Sequence, residues 1–519
     1  MNTPTNAAPS RNFIARFFSW LFSWRIVRRL LIAFVWVATI VVLFYAEENW
    51  RGRRAWNAFR QTLEAKGEQL ELRAFIPKAV PEEQNFAATP IVKSWFVKKD
   101  AAGKPDSWAD RYEKAQSSVP VKDTTERRMT DLVAWQKAFE GTGSTNEIQK
   151  QDRESRAQAA PAVLQVLNEL SALTELRNAS SRPIARYPIV WDMENPWGIL
   201  LPHLSNIKPA CRRLQLKASA ELAGGDTEHA MDDIRVMLYL ADSPKDEAFL
   251  VSYLVRIANF QLAVQPVWEG LLEHRWSESQ LVQLQNKFQS YEFLGDLKYP
   301  LDGERAMGVM TPELIRKKGF GLLLDAGNTA DAGGTRQLVE AIGVVIPTGW
   351  YYLEQCNLIR MYEMQVANAV DWQKRQVSPA LLNANAKFFE GQIPLNAVLK
   401  HEFFAKFLLP ALSSIPRKTA AAQTSADQAV IACALERYQL AHGKYPETLA
   451  ALTPDFITQL PHDLVTGDLY KYRLNDDGSF LLYSVGWNEK DDGGTPGRTA
   501  FDTKQGDWIW GRTSAPASR

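Results

Sequence analysis

At 519 residues the chain is too long for one ordinary core, so two or three domains are the expectation. Hydrophobic residues at 46% and charged residues at 23% fit a folded protein, and a net charge of +1 excludes a broad basic field for nucleic acid. Three widely spaced cysteines, Cys211, Cys356 and Cys433, exclude a disulfide framework and any Cys-x-x-Cys metal knuckle, leaving room for one bridge.

Residues 1–29 carry Arg11, Arg16, Arg25, Arg28 and Arg29 and no acid. Leu30 to Ala46 then form an uncharged run of 17 residues, at the short end for a membrane-spanning helix, and Glu47 and Glu48 follow it. An acid-free flank of arginines before the run, against Glu47 and Glu48 directly after it, places the N-terminus in the cytoplasm and the bulk of the chain outside, as a single-pass protein of the inner membrane. Trp24, Trp36, Tyr45 and Trp50 are aromatic, and those near the ends of the run suit the interfaces. A cleaved signal peptide is the rival reading; the long basic flank and the absence of a small-x-small site after Tyr45 weigh against it. The basic, aromatic stretch Arg11–Trp24 fits either the inner leaflet surface or a plain flanking tail.

Residues 47–400 read as an α-helical body. Trp50, Trp56, Phe59, Leu63 and Leu70 recur at near-helical spacing from Asn49 to Leu72, and Pro77, Pro81 and Pro90 then break regular structure before Phe86–Val97. Gly141–Gln158 is polar and weakly patterned, open to a charged helix or a loop, and Asp325–Thr335 is a clearer loop. Between them, Ser205–Gln289 is the most helical stretch. Ala218, Leu222, Gly225-Asp226, Ala230 and Ile234 have the spacing of half a tetratricopeptide-type hairpin, with no second copy at a 34-residue period. Ser277 and Gln280 form a capping-box pair ahead of Leu281, Leu284 and Phe288.

Residues 401–519 begin with Phe403–Ile415, 13 residues too short to span a bilayer, read as a buried helix kinked or started at Pro410 or as a segment laid against the membrane. From Ser425 a helix presents Ile431, Leu435 and Tyr438 on one face, with Asp427, Glu436 and Arg437 away from it, and Gly443 as its C-cap. Leu469–Leu474 and Phe480–Val485 read as strands joined across Asn475-Asp476-Asp477-Gly478.

This last region resembles the major pseudopilin of type II secretion. The matching residues are Ala434-Leu435-Glu436-Arg437-Tyr438, Gly443-Lys444-Tyr445-Pro446, Leu460-Pro461, Tyr470-x-Tyr472, Tyr483-Ser484-Val485-Gly486 and Gly506-Asp507-Trp508. They cover about 90 residues, under a fifth of the chain. The longer chain is similar to large membrane proteins of planctomycete and verrucomicrobial bacteria that end in such a head, a class that implies no activity. Pseudopilins start with a cleaved leader followed by Thr-Leu-Ile-Glu. Here that motif is absent and about 380 residues separate the anchor from the head, which implies neither prepilin processing nor pilin-type polymerisation.

The resemblance also implies calcium, held in the family by the loop after Ser-x-Gly. Calcium takes six to eight oxygens. On this chain the loop places Asn488 where the family has its first aspartate, with Asp491, Asp492 and Asp507 as carboxylates and the Val485 carbonyl as a further ligand. A solvated acidic turn, with Asp507 capping a strand, is the competing account, because the asparagine lowers the charge of the site.

No catalytic motif is legible. His401-Glu402 opens a zincin-type motif, but Ala405 stands where the second histidine belongs, and there is no Gly-x-Ser-x-Gly elbow or phosphate-binding loop. The expected fold class is mainly α: a single transmembrane helix at 30–46, a helical body at 47–400, and a C-terminal α+β pseudopilin-like head with a small antiparallel sheet within 401–519. The expected function is non-catalytic binding or assembly of envelope or secretion components by a membrane-anchored extracytoplasmic protein. The alternative is an envelope hydrolase with a carboxylate site in the helical body.

Overall fold

The computed structural model describes residues 24–97, 107–119, 125–141, 153–319, 346–389, 397 and 399–511. The stretch before Trp24 and the loop Asp325–Thr335 therefore lie outside the described residues, as does most of Gly141–Gln158. The chain divides into two compact units, each described here by its described residues. One comprises those of Met1–Glu68, Thr311–Leu358 and Leu395–Phe404; the other those of Gln69–Met310, Ile359–Pro394 and Ala405–Arg519.

The first unit is organised by helix α1, Trp24–Ala65, 42 residues long. Its apolar stretch is long and apolar enough to cross a membrane and stays uncovered, with Phe34 70% and Val42 66% exposed. The run 30–46 and the separate helix expected after it are thus one continuous helix. Nothing between Ala46 and Asn49 breaks it, and Glu47 and Glu48 propagate a helix well. Gly52 is tolerated in mid-helix because it marks a close crossing: a Cβ there would stand 2.0 Å from the carbonyl oxygen of Gly349. Polar bonds pin the crossing. Trp350 Nε1 donates to Glu48 Oε2 at 2.9 Å and the Gly349 amide donates to Asn49 Oδ1 at 2.8 Å.

The second unit is a helical layer with a small sheet. Its helices are α2 (Ser107–Ser118), α3 (Leu132–Glu140), α4 (Arg153–Asn168), α5 (Ser171–Ala179), α6 (Leu204–Ala223), α7 (Thr227–Asp242), α8 (Leu250–Leu272) and α9 (Glu278–Gln289). Next come α10 (Lys298–Lys318) and α11 (Thr348–Gln365), which run across the unit boundary, then α12 (Pro379–Phe389) and α13 (Ile415–His442). Helices α6, α7 and α8 pack mutually, and α13 packs on α8 and α9. The α6–α7 hairpin follows the spacing read from sequence. Ala218, Leu222, Ala230 and Ile234 are buried at its seam, Gly225 takes φ +85° in the turn, and Asp226 caps α7. Ser277 and Gln280 form both bonds of the capping box at the start of α9.

Helix α13 departs from the amphipathic reading. It starts ten residues earlier than Ser425, directly after the helix Phe403–Leu408 and a 3-10 turn at Leu409–Leu412 that holds Pro410. It is buried on nearly every side, so Asp427 and Glu436 are internal; Arg437 is half-buried. The one-sided reading assumes a helix with a wet face, whereas α13 has helices on one flank and the sheet on another. Its alanines 420–422, 426, 429, 432 and 434 are small enough for such crowding. Its polar side chains make cross-links instead: Gln261 Nε2 donates to Ser425 Oγ, Gln423 Nε2 to the Tyr291 carbonyl, and Gln428 Nε2 to the Trp508 carbonyl. Gly443 ends the helix at φ +74°, as its C-cap position requires.

The sheet has the antiparallel order β3 (Lys471–Leu474), β4 (Phe480–Ser484), β5 (Trp508–Ile509), with Tyr472 opposite Leu482 and Ser484 opposite Trp508. Gly478 takes φ +81° in the tight connection. A second hairpin, β1 (Val370–Asp371) with β2 (Gln376–Val377), was not legible in the sequence. Its Val370 and Val377 join Leu464, Trp487 and Trp508 in one core, so the sheet region and residues 369–382 fold together.

Candidate functional site: a cleft between helices and sheet

Helix α8 ends with a residue of unusual backbone. The His274 amide donates to the Leu271 carbonyl and the Arg275 amide to Gly270, and His274 itself sits at φ +53°, the left-handed position that glycine usually takes after a helix. Trp276 fixes this turn. Its indole N–H donates to the Val267 carbonyl at 3.1 Å, and its ring lies where a Cβ on Gly270 would be, 2.2 Å away. The turn therefore carries the His274 ring to α13.

There the ring meets a buried carboxylate. His274 Nδ1 lies 2.7 Å from Glu436 Oε1, and the Tyr445 hydroxyl donates to Glu436 Oε2 at 2.7 Å. Glu436 is 2% exposed, while the His274 side chain is 49% exposed. Burial, and then the neighbouring carboxylate, push the Tyr445 hydroxyl well above its usual pKa, so it stays a donor. With both Glu436 oxygens accepting, Nδ1 is the protonated nitrogen and Nε2 is left as the basic one. Tyr445 is held in turn by edge contact with Phe480 at 4.9 Å, and the Tyr472 hydroxyl donates to the Pro446 carbonyl beside it.

These residues line a cleft of about 690 Å³ between α8, α13 and the β3–β4 turn. Trp268, Leu271, Phe480 and Trp510 supply its apolar walls, and Lys444 and Asp477 stand among its polar residues. The arrangement suits apolar and aromatic matter on the walls and hydrogen bonding to His274. No Ser, Thr or Cys side chain is hydrogen-bonded to His274 among the described residues, so the pair lacks an evident nucleophile.

The helical body also brings carboxylates together. Lys217 Nζ bonds Glu221 Oε1 at 2.5 Å and Asp233 Oδ2 at 2.9 Å, and Arg177 bonds the other oxygen of Asp233. Burial, with Asp233 adding to it, pushes Glu221 up to about 7, and its second oxygen is buried without a hydrogen-bond partner. The cluster borders a groove of about 310 Å³. Two acids facing two bases compensate one another, the ordinary way to bury charge between helices.

The acidic loop after β4 gathers the residues read as calcium ligands, and its oxygens are used locally. Asp507, 1% exposed, accepts the amides of Asp492 at 3.2 Å and Gly494 at 2.6 Å. Asp492 accepts the Gly506 amide and the Asn488 side-chain amide, both at 2.9 Å. Asp491 accepts the Tyr483 hydroxyl and the Gly493 amide, both at 3.0 Å. Val485 is buried, and its amide reaches Asp463 at 3.3 Å. Burial raises the Asp507 pKa while its two amides oppose the shift. Among the described residues no group of three or more His, Cys, Asp or Glu side chains is arranged to hold a metal ion.

In the sequence His274 is one of six scattered histidines and Tyr445 belongs to the Gly443-Lys444-Tyr445-Pro446 motif, and nothing there joins either to Glu436. The signal present in the sequence was the glutamate itself, carried by a helix end rich in apolar residues. No family model matches the chain, and neither a curated protein nor a solved structure does.

Proposed function

We propose that this chain is a single-pass, membrane-anchored extracytoplasmic binding protein acting on other envelope or secretion components. The observation that carries the reading is the cleft at Glu436: aromatic walls with a buried carboxylate already satisfied by His274 and Tyr445. Such a site suits recognition, because closing it over an apolar, aromatic segment of a partner leaves the buried Glu436 fully hydrogen-bonded. The arginines before the apolar run support a cytoplasmic N-terminus, with the bulk of the chain on the other side. The pseudopilin-like reading of the C-terminal region rests on its motif order, and the helix followed by a small antiparallel sheet agrees with it. Calcium belongs to the same proposal: three aspartates in one loop speak for it, and the amides they already accept speak against it.

Panning a peptide library on the detergent-solubilised full chain tests the binding reading. Enriched peptides should be apolar and aromatic and lose about tenfold or more in affinity with Trp268→Ala, the usual scale for removing an aromatic wall. Equal binding to that variant would sink the proposal. A second reading is favoured by one observation, the half-exposed His274 oriented by a buried acid, which is how a general base is built. Hydrolysis of ester, peptide or glycoside probes, abolished by His274→Ala in a folded protein, would establish it.

A further inference from the structure

Beyond its apolar run, helix α1 carries a basic and aromatic stripe that is exposed among the described residues. Trp50, Arg53, Arg54 and Asn57 follow helical spacing on one side and are all exposed, Trp50 by 57%. Glu48, Gly52 and Trp56 occupy the opposite, buried side. The Arg54 guanidinium stands over the Trp50 ring at 5.2 Å. Arg51 is tied to Glu48, whereas neither Arg53 nor Arg54 pairs with a carboxylate among the described residues. A groove of about 580 Å³ runs along the stripe. Glu47, exposed on the same side nearer the apolar run, offsets one charge and leaves the stripe positive.

The position along the helix identifies what lies against it. At about 1.5 Å per residue, Trp50 is roughly 6 Å and Arg54 roughly 12 Å beyond Ala46. The headgroup layer outside a hydrocarbon core is about 5–7 Å deep on each side. Helical side chains lean toward the N-terminus, here back toward the apolar run, and arginine stems extend several ångströms further. Trp50 thus reaches the interface, and both guanidinium groups reach the phosphate level. A guanidinium matches two phosphate oxygens at once.

We propose that Trp50, Arg53 and Arg54 form a binding site for the phosphate of an anionic phospholipid headgroup, in the leaflet adjoining Ala46. The site rests on the reading of α1 as a membrane span. To test it, the purified full-length chain in detergent micelles is offered phosphatidylglycerol and phosphatidylcholine, and native mass spectra count the lipid retained. The comparison is made in an R25Q/R28Q/R29Q background, which silences the arginines at the other end of the helix. Phosphatidylglycerol should be preferred, and R53Q/R54Q should weaken its retention roughly 30-fold, with a smaller loss in W50A. Unchanged retention in R53Q/R54Q, no preference between the lipids, or full displacement by millimolar inorganic phosphate would overturn the site. A chain that stays dispersed in buffer without detergent would instead overturn the membrane span beneath it.

Discussion

Two buried carboxylates of the same unit, Glu436 in the cleft and Asp507 in the acidic loop, are satisfied in opposite ways. Asp507 takes both of its bonds from backbone amides, so the shape of its loop depends on it. Glu436 takes both of its bonds from side chains, His274 and Tyr445, while the surrounding backbone is already fixed by helices and by the Trp276 turn. The difference separates architecture from chemistry. Changing the first carboxylate should dismantle a loop; changing the second should alter what the cleft presents and leave the fold standing.

The largest expected effect breaks the loop. Asp507→Ala leaves the Asp492 and Gly494 amides without acceptors and should cost about 2–4 kcal/mol in denaturant unfolding. A loss under about 0.5 kcal/mol would remove the contrast with Glu436.

A comparable effect of opposite sign comes from Glu304, pushed up to about 7 by burial while it accepts the Leu250 amide at the start of α8. Its folded pKa lies above the unfolded value, so the folded state binds more protons between about pH 4 and 7 and loses stability as pH rises through that window. Glu304→Gln keeps the acceptor and removes the charge. It should be about 3 kcal/mol more stable than the parent at pH 8 and equal to it below about pH 4. A gain independent of pH would show that the carboxylate is not the cause.

Glu436→Gln sharpens the comparison directly. It should cost about 1–2 kcal/mol of stability, less than the loop variant, because an amide still accepts one of the two donors. Its effect on peptide binding at the cleft should exceed its effect on unfolding. Tyr445→Phe, which removes a single donor, should cost about 1 kcal/mol. Calcium supplies the last and smallest test. If the loop holds calcium as proposed, millimolar calcium should raise Tm by about 2–4 °C and Asp491→Ala should abolish the rise; a change below about 1 °C would mean that the loop is held by its amides alone.

What the sequence made legible was local. The α6–α7 hairpin, the Ser277–Gln280 capping box, the Gly443 cap and the turn at Gly478 each depend on residues within a few positions, and each stands where spacing placed it. The apolar run was legible too, and so was the absence of a breaker after it; the crossing of Gly52 with Gly349, nearly 300 positions away, was not. The cleft was not legible for the same reason. His274 and Glu436 lie 162 residues apart, and as far as Glu436 the helix that carries it is buried on nearly every side, which erases the polar stripe that would have marked it. Two-residue strands such as β1 and β2 carry no periodicity to read.

The binding role of the cleft is tested most directly by photo-crosslinking in the intact membrane, with a photoreactive residue in place of Phe480 and, as control, in place of exposed Leu440 on the same unit. Position 480 should give discrete protein adducts that vanish in a Trp268→Ala background, and position 440 should give none. Adducts of equal yield from both positions, indifferent to Trp268, would contradict it.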